Sequence, residues 1–232
     1  MALTLYVGNK NYSSWSMRPW VLLREAGIAF TERMVRFDSF DADSEFKRVV
    51  AAVNPTGKVP VLVDDELAGD LVVWDTLAIC EYLAERFPGH RLWPDDPSAR
   101  ARARSICAEM HSGFGAMRNQ FIMNIEASLP EVGQRVLRDQ ADVRQDVARI
   151  IAMWSALLAE HGGPLLFGRF SIADAYFAPV CMRFNTYGVP VPDEIGEYID
   201  TVFGLPGVAQ WVEAARAEGD FLPFEEPYRL NR

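Results

Sequence analysis

A chain of 232 residues, half of them hydrophobic, carries enough apolar mass for one large or two modest domains. Its net charge of -9 excludes a general nucleic-acid binder, which needs a cationic surface to neutralise phosphate. Cys80, Cys107 and Cys181 lie far apart without a CxxC spacing, and the three histidines lack metal-ligand spacing, so neither a disulfide framework nor a metal site is expected. The first residues run into a strand-like Leu3-Thr4-Leu5-Tyr6-Val7 without a basic and apolar leader, and no apolar run approaches the roughly 20 residues of a membrane span. A cytoplasmic protein without membrane or nucleic-acid partners is the expectation.

In chain order, residues 3–7, 31–36, 61–63 and 71–74 have the composition of short strands, and residues 17–26, 45–53 and 77–87 that of helices, with Gly27 placed to stop the first helix. Pro88-Gly89, Pro94 and Pro97 then interrupt the pattern, which divides the chain into 1–87, a linker at 88–97, and 98–232. Residues 98–125 and 131–161 are rich in Ala, Arg, Glu and Leu with apolar positions at helical spacing, and predict two long helices of a bundle. Ser171-Ile172-Ala173-Asp174 has the spacing of a capping box before an apolar run at 175–182. Pro206 suits the start of a helix over 208–217, while Pro223 and Pro227 predict an irregular tail packed over the helical region.

Three segments carry the chemistry. Asn54-Pro55-Thr56-Gly57-Lys58 forms a turn into Val59-Pro60, where a proline opening a strand leaves backbone groups free to pair with an extended ligand. At Asp75-Thr76 a carboxylate, a hydroxyl and the free N–H groups of a helix start converge, a corner suited to the ammonium and carboxylate of one amino acid. In the loop ending Tyr12-Ser13-Ser14-Trp15-Ser16, three serine hydroxyls crowd another helix start. A hydroxyl there can donate to a thiolate and favour it over the thiol.

These features occur in one order across nearly the whole chain: β-α-β-α-β-β-α with Val59-Pro60 and Asp75-Thr76, a linker, then helices with Ser171-x-x-Asp174. The chain thereby resembles a cytosolic glutathione S-transferase, with a thioredoxin-like α/β domain followed by an all-helical domain. Ser13-Ser14-Trp15-Ser16-Met17-Arg18 is similar to the zeta-type signature of two serines, cysteine, serine, any residue and arginine, which places the resemblance among bacterial serine-type enzymes. It implies glutathione as co-substrate, a small electrophilic second substrate and a homodimer packed along its long helices. Ser14, four before Arg18, and Ser13, matching the first serine of the signature, are both candidates for the thiol partner. Val59 and Pro60, joined by a cis bond in that family, would pair with the cysteinyl backbone of glutathione. Asp75 would meet its ammonium, Thr76 its γ-glutamyl carboxylate and Lys58 its glycyl carboxylate.

Trp15 stands where the signature has cysteine, which removes the nucleophile a thiol reductase needs and offers an apolar wall instead. Phe114, Met117, Arg118, Phe121 and Ile122 form a candidate second-substrate patch with His111 nearby, although such a stripe is more often core or subunit interface than a substrate pocket. Arg100, Arg102 and Arg104 predict a solvated or salt-bridged helix face. The expected activity is attack of glutathione on a small electrophile, as in detoxification. The alternatives are a glutathione-dependent isomerase of the maleylacetoacetate type and a noncatalytic ligand-binding or scaffold protein on the same fold.

Overall fold

Four short extended runs build the sheet, two of them with alternating burial. The computed structural model describes residues 3–67 and 69–232. β1 (Leu3–Val7), β2 (Thr31–Met34), β3 (Val61–Asp64) and β4 (Leu71–Trp74) lie in the order β2-β1-β3-β4. β2 runs parallel to β1 because α1 (Ser14–Glu25) returns the chain between them, whereas β3 and β4 pair antiparallel. Leu5 pairs with Leu62 in the central register, and both are fully buried under α1 and α3 (Thr76–Arg86). α2 (Glu45–Ala51) packs Phe46 and Val50 into a smaller cluster with Tyr12, Val35, Phe37 and Val61.

The remainder is helical: α4 (Pro97–Ser112), α5 (Gly115–Gln120), α6 (Pro130–Asp139), α7 (Ala141–His161), α8 (Ile172–Thr186), α9 (Asp193–Gly204) and α10 (Pro206–Glu218). This is a thioredoxin-like sheet domain followed by an all-helical domain. α8 buries every residue except Asn185, so it reads as hydrophobic on all sides and serves as the axis of the helical region. It packs against α1, and one continuous apolar core runs through both halves of the chain.

The expected capping box is present. Ser171 accepts from the Ala173 N–H at 3.2 Å, and the Asp174 carboxylate accepts from the Ser171 N–H at 3.0 Å. The two expected long helices are each broken. Residues 98–125 divide at Gly113-Phe114, where Phe114 turns the chain with φ 55° and a Cβ on Gly113 would lie 2.7 Å from the Glu109 carbonyl. Residues 131–161 divide at Gln140, whose extended backbone closes α6 and opens α7. Close contact explains the second break: a Cβ on Gly133 of α6 would lie 1.8 Å from the Tyr187 carbonyl, so α6 is seated against the end of α8 and cannot continue the line of α7. α9 was not foreseen.

The Arg100 to Arg104 face is pinned as expected, with Arg104 paired to Glu81 at 2.9 Å and Arg100 donating to the Pro94 and Asp95 carbonyls. The tail departs from expectation. Beyond α10 it crosses back onto the sheet domain, where Asn9 donates to Asp220 at 2.6 Å, Tyr12 donates to Glu226 at 2.7 Å, and Phe224 packs edge-on against Phe40.

Candidate functional site

The first loop separates its serines by their partners. Ser13 caps α1: its hydroxyl accepts from the Ser16 N–H at 3.4 Å and donates to the Ser16 hydroxyl at 2.7 Å, which in turn accepts from the Gly8 N–H. Helix α1 therefore starts at Ser14, three residues before the composition suggested. Ser14, the first helical residue, accepts at its Oγ from the Arg183 guanidinium at 3.2 Å. With that lone pair engaged, the Ser14 hydroxyl proton is left to point elsewhere.

Arg183 comes from α8, is buried, and also donates to the carbonyls of Arg118 and Phe121. Burial, with Arg18 and Arg118 nearby, lowers its pKa to about 9. Arg18 lies between the Trp15 and Tyr176 rings, 4.4 Å from each centroid, and donates through Nε to the Tyr176 carbonyl at 3.0 Å. Arg18 Nη1 and Arg118 Nε are buried without a hydrogen-bond partner. An acidic chain thus gathers Arg18, Arg118 and Arg183 behind its first helix, a setting that favours an anion at the mouth of α1.

Pro19 positions the second element. A proline at that point cannot donate to the Trp15 carbonyl four residues earlier, and the Thr76 hydroxyl donates to it instead, at 3.1 Å. This ties the start of α3 to the first turn of α1. Asp75 caps α3, accepting from the Leu77 and Ala78 N–H groups at 2.9 and 3.4 Å, with φ 74°. Such a backbone in a non-glycine residue stores about 1–3 kcal/mol and is characteristic of functional sites. The other Asp75 oxygen lies 3.4 Å from Nε2 of His111 on α4, whose Nδ1 meets the Tyr176 hydroxyl at 2.8 Å.

The Val59–Pro60 bond is cis, as the resemblance implied. The turn before it is held by Asn54, which donates to the Thr56 hydroxyl at 2.8 Å and the Lys58 carbonyl at 2.9 Å and accepts from the Thr56 N–H. Gly57 takes φ 59° there, a conformation that a side chain would strain. Lys58, Val59, Pro60, Asp75 and Thr76 line one cavity of about 480 Å³ together with Trp15, Asn54, Thr56, Trp74 and His111. That volume lies within the roughly 300–1,000 Å³ of small-molecule sites.

A second cavity, about 290 Å³, adjoins the first through shared Trp15, Lys58 and Val59, and contains Ser13 and Ser14. Its walls are Tyr12, Phe37, Phe40, Phe46, Lys47 and Glu225. The helical patch expected to take a second substrate is not there. Phe114, Met117 and Phe121 belong to the core, with Phe121 stacked on Tyr187 at 4.6 Å between centroids. The chain's end does contribute, through Glu225. The sequence reading missed Arg183 and Glu225, because each reaches the first loop only through tertiary packing, and it passed over Asn54, whose position directly before Pro55-Thr56-Gly57 was the available signal. Among the described residues no group of histidine, cysteine and carboxylate side chains could hold a metal ion, and no helix is long and apolar enough to cross a membrane.

Comparison with known proteins places this geometry. Residues 12–86 match the glutathione S-transferase N-terminal domain, and residues 99–214 match the glutathione S-transferase C-terminal domain. Glutathione S-transferase F14 of Arabidopsis thaliana is 31% identical over 211 residues, covering 86% of this chain and 74% of that protein. Maleylacetoacetate isomerase of Pseudomonas aeruginosa is 29% identical over 192 residues, covering 81% of this chain and 84% of that one. The crystal structure of a glutathione transferase homolog from Burkholderia, with bound glutathione, aligns at a TM-score of 0.66 with 27% identity over 94% of this chain and 99% of that chain. With a serine-rich helix start, a cis-proline turn and a capped Asp75-Thr76 corner meeting around adjoining cavities, the chain belongs to the glutathione S-transferase family.

Proposed function

We propose that this chain is a glutathione transferase in which Ser14 holds the glutathione thiolate for attack on a small electrophile. The observation that carries this reading is the Arg183 hydrogen bond to Ser14 Oγ. A hydroxyl that accepts from a cation is a stronger donor, and its own proton is free for sulfur, whereas the Ser13 proton is engaged by Ser16. A free thiol ionises near pH 8.5; a donated hydrogen bond, the N-terminus of α1 and the buried arginines behind it all favour the anion. Glutathione would lie in the larger cavity, its cysteinyl backbone along Val59 before Pro60, its ammonium at Asp75 and its glycyl carboxylate at Lys58. The Thr76 hydroxyl proton is already given to Trp15 and the Leu77 and Ala78 N–H groups to Asp75, so the γ-glutamyl carboxylate would take the Thr76 backbone N–H at the start of α3.

Calorimetry tests the reading. Wild type should bind glutathione at micromolar to millimolar Kd, and Asp75→Asn, which keeps a helix cap but removes the charge, should weaken binding by about tenfold, the worth of a charge-assisted hydrogen bond. A folded wild type that does not bind glutathione would overturn the proposal and leave a noncatalytic ligand-binding or scaffold protein.

A second reading, a glutathione-dependent isomerase of the maleylacetoacetate type, is favoured by the Pseudomonas aeruginosa relative. It would use the same thiolate, with Trp15 as the departure from the zeta-type loop. Accumulation of an isomerised product without consumption of glutathione separates the two. The homodimer belongs to the same proposal. Leu71 and Trp74, 38% and 42% exposed on the sheet-edge strand β4, are large apolar side chains that a second copy would cover, and sedimentation at micromolar concentration checks it.

A further inference from the structure

The smaller cavity contains one carboxyl, Glu225, for which thiolate formation has no use. It reaches that cavity from the short turn Pro223–Glu225 of the tail, among Phe37, Phe40, Phe46 and Val59, and it shares the wall with Ser13 and Ser14. The tail is anchored on both sides of it, by Tyr12 on Glu226 and on the Asp220 carbonyl and by Tyr228 on the Gln120 carbonyl. Glu225 is therefore held in the wall of the cavity that Ser14 also lines, by contacts that do not involve its own carboxyl. That carboxyl accepts no hydrogen bond from the described residues. A carboxyl in an apolar wall, without a donor, is poorly solvated as an anion.

The charged groups around it are Arg183 from α8, which favours the anion, and Glu226 from its own turn, which opposes it; Lys47 of α2 and Lys58 of the turn before β3 line the same cavity. Burial is the largest influence and raises its pKa to about 7. The acid form is thus present at neutral pH in the cavity that Ser14 also lines, and its carboxyl makes no hydrogen bond among the described residues.

We infer that Glu225 is the proton donor for addition of the thiol across an activated double bond, such as that of an α,β-unsaturated carbonyl compound. This rests on the glutathione reading. The thiolate sulfur bonds to the β-carbon as the carbon–carbon π bond breaks and its electron pair moves toward the carbonyl as an enolate. The Glu225 O–H bond breaks, its proton goes to the α-carbon, and the carboxylate regains a proton from solvent equal to the one the thiol released. The sum is addition of S–H across the double bond, with no oxidant, reductant or leaving group. Displacement differs, because the departing group takes its own electron pair and no proton has to be delivered to carbon.

The experiment compares wild type with Glu225→Gln on an aromatic enone, benzylideneacetone, and on a displacement substrate, chlorodinitrobenzene. Glutathione calorimetry on both proteins establishes that the variant is folded and loaded. General acids contribute about 10²–10⁴ in rate, so the variant should lose at least about tenfold more kcat/KM in addition than in displacement. In wild type the ratio of addition to displacement should fall as pH rises through about 7, and in the variant that ratio should not change with pH. In the absence of glutathione, carbon NMR should show a glutamate carboxyl titrating near 7 that is missing from the variant. Equal losses in the two reactions, no loss, or a wild-type ratio independent of pH would overturn the proton role while leaving the transferase reading standing. Absence of glutathione binding by wild type would instead overturn both.

Discussion

Ser13 and Ser14 are neighbours with the same side chain, and their partners divide the work between them. Ser13 spends its hydroxyl on the cap of α1 and on Ser16. Ser14 faces Arg183. Ser13→Ala should therefore cost stability, about 1 kcal/mol for a lost cap, with the thiol pKa of bound glutathione little changed. Ser14→Ala should raise that pKa by about one to two units, each worth about 1.4 kcal/mol, and lower kcat/KM by at least tenfold. Ultraviolet titration of the bound thiolate together with thermal unfolding of each variant distinguishes the two losses. The opposite pattern would make Ser13 the thiol partner. Both serines were visible in the sequence as candidates; Arg183, 169 positions away from Ser14, was not.

Among the elements, α8 is held at its start by Asp174, fully buried and accepting from the Leu166 N–H at 3.1 Å, the Ser171 N–H at 3.0 Å and the Ser171 hydroxyl at 3.3 Å. Burial raises its pKa to about 6, against the lowering effect of those donors. A carboxyl with a raised folded pKa takes up its proton more readily in the folded state than in the unfolded one. Its contribution is fully present below the unfolded value of about 3.9 and is lost as pH rises through about 6. Asp174→Asn should abolish that slope, worth on the order of 2–3 kcal/mol between about pH 4 and 6, and thermal unfolding across this window checks it. The capping-box spacing was legible because it is local, four consecutive residues. The breaks at Gly113 and Gln140 were not, because a glycine within a helical composition gives no sign that a carbonyl from another turn or helix lies against it.

At the scale of the whole molecule, the two halves are joined at the site. α8 supplies Arg183 to the first loop, α4 supplies His111 to Asp75, and the tail brings Glu225 back to the sheet domain. Tyr12 is the fastening point of that tail, its one hydroxyl proton shared between Glu226 at 2.7 Å and the Asp220 carbonyl at 3.2 Å and its oxygen accepting from the Leu222 N–H at 3.4 Å. Tyr12→Phe removes these contacts and leaves Glu226 only its ion pair with Arg229 at 3.6 Å, at about 1–3 kcal/mol for each buried group left without a partner. The tail should then open locally: limited proteolysis would cut residues 219–232 several-fold faster than in wild type, while the body of the protein keeps its unfolding temperature within a few degrees. Equal protease resistance in the two proteins would show that the tail is held by its apolar contacts, Phe224 on Phe40 and Leu222 on the α2 cluster.

What depends on neighbours along the chain was legible in it: the four strands, the helix caps at Asp75 and Ser171, the proline turn at Val59-Pro60, and the order of elements that gives the family. Each is a choice of backbone conformation set by a few adjacent residues, and periodicity or a capping side chain makes it readable. Tertiary structure alone decided which serine is free, how the cation behind it is placed, where the second cavity lies and which acid enters it. Those outcomes depend on what is brought within hydrogen-bond distance across more than a hundred residues, and on how burial changes the charge a side chain will hold.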